Sequence, residues 1–240
     1  MTESLAQGHR DNRLLAALPS GTLAQMGSHL RQISIAQGAV MYEPGDAVDD
    51  VYFPQSGMIS LLVVTKGGNS VETSTVGREG AIGLQCAFGP RRSFTRATTQ
   101  IGGRFLAIRA KRFEQIALDD APLRTLIGRY TEILWAEAQQ IAACNTAHDA
   151  ASRLARWLLQ CADRIGSDKL ALTQELLAQM LNVRRTTVTL LAQALQHKGL
   201  IKYSRGQITI VDRDGLEREA CECFHVLHHD KLPHTIGVKL

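Results

Sequence analysis

The hydrophobic and polar positions of this chain change their period near Phe113. Before it, from Gln32 onward, short stretches of alternating apolar and polar residues are interrupted by turn sequences such as EPGD and TKGGNS. Alternation is typical of strands that bury one face, and strands this short predict an antiparallel β-roll or jelly roll. Two short helices, capped by Asn12 and Ser20, are predicted before the strands. After Phe113 the apolar residues recur at helical spacing, so the predicted fold class is α+β.

The longest helical pattern begins near Pro122 and continues to about residue 145. Its apolar positions alternate spacings of four and three residues, which is the repeat of a coiled-coil seam and predicts a dimerisation helix. A helix packed along its own β-roll would carry the same stripe, and Leu126 and Ile133 on its flank favour both contacts. The stripe consists of Leu123, Ile127, Tyr130, Leu134, Ile141 and Cys144, with Glu137 as a polar interruption.

Residues 172–201, LTQELLAQMLNVRRTTVTLLAQALQHKGLI, have the pattern of a helix-turn-helix. Thr173 can cap the first helix, Asn182 suits a sharp left-handed turn, and Val188 begins the inward stripe of the second helix. A hairpin with two cations follows, which predicts a winged helix-turn-helix whose outer face reads the major groove. A bundle fragment with a solvated basic face is the alternative. The predicted DNA contacts are Thr173, Arg184, Arg185, Thr186, Thr187, Thr189, Leu190, Lys202 and Arg205.

These residues, with ASRLARWLLQ before them and SRGQITI after them, resemble the carboxy-terminal half of the Crp/Fnr family of bacterial transcription regulators. GAVMYEPGD and VYFPQSGMISLLVV resemble the family's sensory domain. The resemblance implies a homodimer that binds double-stranded DNA at an inverted-repeat operator and contacts RNA polymerase. It assigns the recognition arginine to Arg185 and phosphate contacts to Thr173 and Thr187. Thr186 and Leu190 replace the family's glutamate and second base-reading arginine, so the operator cannot be copied from the family.

The resemblance also divides the chain into four parts. Residues 1–118 are the N-terminal helices and the cyclic-nucleotide-binding-like β-roll, and 119–147 are the dimerisation helix and hinge. Residues 148–214 are the winged helix-turn-helix, and 215–240 are a C-terminal helix and tail.

The groups with which the family binds a cyclic nucleotide are largely missing. Leu84 follows Gly83 where a ribose-binding carboxylate is needed, and leucine cannot accept a hydrogen bond. Ala138 and Gln139 replace the Thr-Ser pair that meets the adenine. We therefore predict operator binding without cyclic nucleotide, with a response to another small molecule or to none; a cyclic-nucleotide-responsive regulator is an alternative. The candidate pocket residues are Gly83, Leu84, Arg92, Ser93, Arg96, Ala138 and Gln139, and both arginines could equally be surface residues.

Composition changes this interpretation little. The formal charge of +4 over 240 residues is only mildly basic, so local clustering has to carry the case for DNA. The sequence contains neither a membrane-spanning apolar run nor the apolar core of a signal peptide, which predicts a cytoplasmic protein without a membrane partner. No cysteine precedes Cys86, which argues against the N-terminal iron–sulfur cluster of some family members, and no cofactor is predicted.

A metal- or redox-sensing module is the alternative from a different functional class. It is favoured by a C-terminal group consisting of Cys221, Cys223, His225, His228, His229 and His234. Cysteines two apart point in different directions on a helix, and no second spaced pair is evident, so we predict no metal. No nucleophile, base and orienting group share a catalytic spacing, so we predict neither catalytic residues nor an enzyme.

Overall fold

The computed structural model describes residues 9–68, 70–89 and 91–226. The first helices are α1 (Arg13–Ala16) and α2 (Ser20–Gly27). Asn12 caps α1 by accepting a hydrogen bond from the Leu15 amide, as predicted. Its own side-chain amide donates to the carbonyl oxygens of Pro54 and Gly80, which anchors α1 to the strands. Ser20 lies inside α2, with Pro19 at the cap position, so the predicted Ser20 cap is wrong.

Seven antiparallel strands follow as two facing sheets. They are β1 (Arg31–Ile35), β2 (Val40–Tyr42), β3 (Asp50–Pro54), β4 (Met58–Val64), β5 (Ser70–Val76), β6 (Arg96–Ile101) and β7 (Gly103–Arg109). The sheet orders are β1-β7-β3 and β2-β6-β4-β5. Phe53, Ile59, Phe105 and Leu106 are buried in the core of this roll. The predicted antiparallel β-roll and the α+β class are confirmed.

Three helices connect the roll to the C-terminal part of the chain. They are α3 (Ala110–Asp119), α4 (Ala121–Ala147) and α5 (Ala150–Ile165). The Asp120 side chain caps α4, and the Asp149 side chain caps α5 by accepting hydrogen bonds from two backbone amides. His148 is extended between them, so the hinge between the long helix and α5 is only two residues long.

The apolar stripe of α4 faces the protein's own roll. Leu123, Ile127 and Tyr130 are buried in the roll core, and Leu134 packs against it half-buried. Ile141 is also buried within the single chain. The predicted contact of this stripe with the protein's own roll is therefore present, and its contact with a second copy stays a prediction.

The C-terminal elements form a winged helix-turn-helix. They are β8 (Lys169–Ala171), α6 (Gln174–Leu181), α7 (Arg185–His197), β9 (Ile201–Ser204), β10 (Gln207–Ile210), α8 (Arg213–Glu219) and α9 (Cys223–Val226). The strands form a sheet of order β8-β10-β9. Its core includes Trp157 and Ile208, and Met58 and Leu62 of the roll join the same cluster, so the two parts share buried surface. None of the described helices is long and apolar enough to cross a membrane.

Candidate nucleic-acid interface and effector cavity

The turn between α6 and α7 is formed by the residues that the sequence indicated. The Thr173 hydroxyl accepts a hydrogen bond from the Leu176 amide at 3.2 Å and so caps α6. Asn182 ends α6 in the left-handed region, with φ 52°. Val188 and Leu195 are buried beneath α7. The opposite face of α7 is consequently directed away from the core.

That outer face combines guanidinium groups, hydroxyls and one exposed leucine. Arg184, Arg185, Thr186 and Leu190 are exposed, whereas Thr187 and Thr189 are half-buried. Arg184 occupies the N-cap position without a side-chain capping bond, which leaves the amino end of α7 suited to an anion such as DNA phosphate. The guanidinium of Arg185 donates to Gln174 Oε1 at 3.3 Å, so the arginine lies across the two helices of the motif.

The hairpin after α7 forms the wing. Arg205 and Gly206 both have positive φ angles, 49° and 76°, as the tight two-residue turn of a hairpin requires. Lys202 and Arg205 are exposed. The Tyr203 amide donates to Gln196 Oε1 at 2.8 Å, which joins the wing to α7. The four exposed cationic side chains therefore lie at the amino end of α7 and on the adjoining wing; they are Arg184, Arg185, Lys202 and Arg205.

A small cavity of about 130 Å³ lies where the family resemblance places the nucleotide pocket. Pockets for small-molecule ligands are typically about 300 to 1,000 Å³. Gly83 and Leu84 form part of its wall, and Tyr130 of α4 closes another side. Gly83 is left-handed, with φ 86°, and a Cβ there would lie 2.9 Å from both the Asp50 carbonyl and the Tyr42 hydroxyl. The cavity is therefore held small by close packing.

The candidate phosphate ligands are not brought together at this cavity. Ser93 lines it, but its hydroxyl donates to the Thr95 carbonyl at 2.7 Å. Arg96 is paired with Glu43 at 2.9 Å, and Arg92 donates to the Gly45 carbonyl in a separate open cleft. Among the described residues, no charged side chain lines the small cavity.

Ala138 and Gln139 also stay outside the cavity wall, although they follow the same helix as Tyr130. Ala138 is half-buried and Gln139 is exposed. Of the seven predicted pocket residues, the structure therefore brings together Gly83, Leu84 and Ser93.

A buried ion-pair network joins the roll, α4 and α5, and sequence reasoning did not identify it. Arg164 of α5 donates to Glu79 at 3.1 Å and to Glu137 of α4 at 2.6 Å, and all three side chains are nearly inaccessible. Removing one member of such a pair typically costs about 3 to 5 kcal/mol, because it strands a buried charge. The polar interruption at Glu137 in an apolar stripe was the available signal.

Two sequence profiles match most of the chain. Residues 32–120 match the cyclic nucleotide-binding domain, and residues 152–219 match the Crp-like helix-turn-helix domain. The chain belongs to the Crp/Fnr family of transcription regulators. Members of this family bind DNA and typically dimerise. The regulator is 25% identical over 215 residues to the CRP-like cAMP-activated global transcriptional regulator of Mycobacterium tuberculosis strain H37Rv, covering 82% of this chain and 92% of the relative.

Solved structures of family members share the fold. FixK2 from Bradyrhizobium japonicum superposes with a TM-score of 0.69 at 17% identity, covering 80% of this regulator and 98% of FixK2. A putative Crp/Fnr regulator from Eubacterium rectale gives 0.66 at 19% identity, with 88% and 98% covered. The c-di-GMP responsive regulator CLP of Xanthomonas campestris gives 0.63 at 18% identity, with 80% and 99% covered.

Four side chains that can bind a metal converge at the hinge of the regulator. The ligand atoms of Cys144, His148, Cys221 and Cys223 all lie within 4.8 Å of one another. Two features of the structure differ from the expectation of no metal ligand set. Cys221 precedes α9, so it and Cys223 are not on one helix, and the second pair comes from the end of α4. His225 contacts the Phe224 ring edge-to-face outside this cluster, and His228, His229 and His234 lie outside the described residues.

The signal that could have identified the second pair is the spacing of Cys144 and His148. Residues four apart lie on one side of a helix, so a thiol and an imidazole at that spacing can share a metal. The pair spans the end of α4, where the helical pattern breaks.

Proposed function

We propose that this Crp/Fnr regulator acts as a homodimer that binds an inverted-repeat DNA operator without a cyclic nucleotide. The observation that carries the proposal is the small cavity at the pocket position, about 130 Å³, bounded by Leu84 and lacking a charged wall residue. A cyclic nucleotide needs a carboxylate for its ribose and a cation for its phosphate. Losing two charged hydrogen bonds, each worth about 1.5 to 3 kcal/mol, would weaken binding by roughly two to four decades.

The descriptions of two relatives name different effectors. The Mycobacterium tuberculosis relative is described as cAMP-activated, and the Xanthomonas campestris structure as c-di-GMP responsive. Effector identity therefore has to be argued from this chain's own residues. Another small molecule, or none, is compatible with the small uncharged cavity.

DNA binding is proposed to use α7 and the wing together. Arg185, with Thr186 and Thr189, would read base edges in the major groove, where arginine pairs well with guanine. Leu190 is 66% exposed and offers an apolar contact to a thymine methyl group.

Phosphate contacts would set the position of the regulator on the duplex. Thr173, Lys202 and Arg205 lie on elements flanking α7. Thr187 lies in the first turn of α7, and Arg184 lies at its amino end. Such contacts fix orientation without conveying sequence. We also propose contact with RNA polymerase, which the family resemblance implies.

A dimer would bring two recognition helices into successive major grooves, about 34 Å apart. Since the buried stripe of α4 is covered by the roll, the partner would contact the opposite face. That face carries Gly128, Glu132, Trp135 and Gln139, and Trp135 is 69% exposed.

Calorimetry and DNA titration test the effector proposal. The operator is first selected from random duplexes with the purified regulator. Cyclic AMP, cyclic GMP and c-di-GMP are then titrated into the protein, and operator affinity is measured by fluorescence anisotropy with each present. We expect tight operator binding without nucleotide and no change on adding one. Micromolar nucleotide binding that tightens operator affinity would overturn the proposal.

A further inference from the structure

The cluster at the hinge has the composition and spacing of a metal site. The Cys144 and Cys221 sulfurs are 3.6 Å apart, and the Cys223 sulfur is 3.7 Å from His148 Nδ1. A tetrahedral zinc with bonds of about 2.3 Å to sulfur and about 2.0 Å to nitrogen sets its ligand atoms roughly 3.6 to 3.8 Å apart. The side chains therefore already surround a volume that fits one ion.

We propose that Cys144, His148, Cys221 and Cys223 form a structural Zn²⁺ site. Three thiolates and one imidazole are a ligand set that zinc favours, and four protein ligands leave no open position for a substrate. The observed sulfur separation is much longer than the roughly 2.0 Å of a disulfide, and all five cysteines are free. The site goes beyond the proposed DNA-binding function and does not depend on it.

Groups around the cluster orient the ligands as they do around bound zinc. His148 Nε2 lies 3.1 Å from the Glu222 carboxylate, which can accept a hydrogen bond from the tautomer protonated at Nε2. In that tautomer Nδ1 is free to bind the metal. The Gln140 side-chain amide donates to the Cys223 sulfur at 3.0 Å. The first contact favours an imidazole with a free Nδ1, and the second stabilises a Cys223 thiolate; both forms bind a cation.

The electrostatic surroundings also suit a centre with three thiolates. Zinc with three thiolates is a net anion, and the nearby Arg156 guanidinium, 4% exposed, compensates that charge. The same guanidinium interacts electrostatically with both the Cys144 and the Cys221 side chains. Metal binding would release the thiol protons to solvent, since zinc binds the deprotonated sulfur.

The site would connect segments that are distant in sequence. Cys144 lies in the last turn of α4, His148 lies in the hinge, and Cys221 and Cys223 follow α8. A bound ion would tie the carboxy-terminal side of the winged helix-turn-helix to the end of the long helix. It would therefore fix the hinge that sets the position of α7 relative to α4.

Metal analysis of the full chain tests the site. The regulator is purified under reducing, anaerobic conditions, and its metal content is measured by elemental analysis. We expect one zinc per chain. After chelation, Co²⁺ titration of the same protein should give the visible bands of tetrahedral cobalt and the near-ultraviolet absorption of cobalt–thiolate bonds, saturating at one equivalent.

A matched pair of variants assigns the ligands. Cys223→Ser should lose the zinc, whereas Cys86→Ser should retain it, because Cys86 is buried in the roll and serine preserves its bond to the Ala110 carbonyl. Absence of zinc together with a featureless Co²⁺ titration would overturn the site. The zinc site would also be overturned if the protein contained iron with labile sulfide, or if both variants lost zinc equally. None of these readouts uses DNA or a nucleotide, so they are independent of the effector test.

Discussion

Single residues on the DNA-facing surface should divide into those that read bases and those that only position the protein. Arg185 begins α7 and is exposed, and the guanidinium fork matches the edge of guanine. We expect Arg185→Ala to weaken binding to the selected operator by about 1 to 3 kcal/mol and to relax discrimination at one base pair. Binding to single-base operator variants, measured by anisotropy, checks this.

Lys202→Ala and Arg205→Ala are the matched comparison, because both cations lie on the wing and are exposed. Each substitution should weaken binding to all DNA sequences alike. It should also reduce the salt dependence of DNA affinity by an amount that corresponds to about one phosphate contact. If Arg185→Ala lowers the affinity for the operator and for random-sequence DNA equally, that arginine contacts phosphate instead of a base.

At the scale of elements, α4 has two faces with different roles. One packs on the roll through Leu123, Ile127 and Tyr130, and the other exposes Trp135. Exposed aromatic residues are typical of protein interfaces. We expect Trp135→Glu to give folded monomers in sedimentation velocity that no longer bind the operator tightly, because a buried charge would oppose association.

Leu118→Glu is the control for this substitution, since Leu118 is 61% exposed and belongs to α3, not to α4. It should remain dimeric. Leu134→Glu tests the contact between the apolar stripe of α4 and the roll. Because Leu134 packs against the roll core, we expect that variant to lose thermal stability. A Trp135→Glu protein that stays dimeric and binds DNA would place the interface elsewhere.

At the scale of the whole molecule, a buried carboxyl group couples the roll to the DNA-binding part. Glu72 of β5 accepts hydrogen bonds from Ser60 at 2.6 Å and from the Trp157 indole of α5 at 2.8 Å. Burial raises its pKa to about 7. The fold therefore prefers the protonated form, and this contribution to stability is complete below the ordinary carboxyl pKa and is lost as pH rises through 7.

We consequently expect the regulator to unfold at a lower temperature at pH 8 than at pH 6, with Glu72 accounting for roughly 1 kcal/mol of stability lost between these two pH values. Glu72→Gln should reduce the change in unfolding temperature between pH 6 and pH 8, because glutamine is neutral at every pH in this range. Scanning calorimetry across this range measures it. Glu175→Gln is the control, because Glu175 is exposed, and it should keep the wild-type dependence of unfolding temperature on pH. A Glu72→Gln protein with that same dependence would show that Glu72 is not the titrating group.

The sequence by itself determined those features that depend on a few neighbouring residues. Alternating residues predicted the roll, Asn182 predicted the turn of the helix-turn-helix, and the stretch from Thr173 to Leu195 predicted which side of α7 is buried. These features are local because strand and helix periods directly record which face avoids water. The family followed from the same stretches.

Only the tertiary structure decided what covers each buried face. The apolar stripe of α4 would look the same against a partner or against its own roll, since periodicity does not identify the neighbour. The cavity beside Leu84 is small because Tyr130 and the left-handed Gly83 pack around it. Cys144 and Cys221 meet across 77 positions of the chain, and no local spacing can predict contact between residues so far apart.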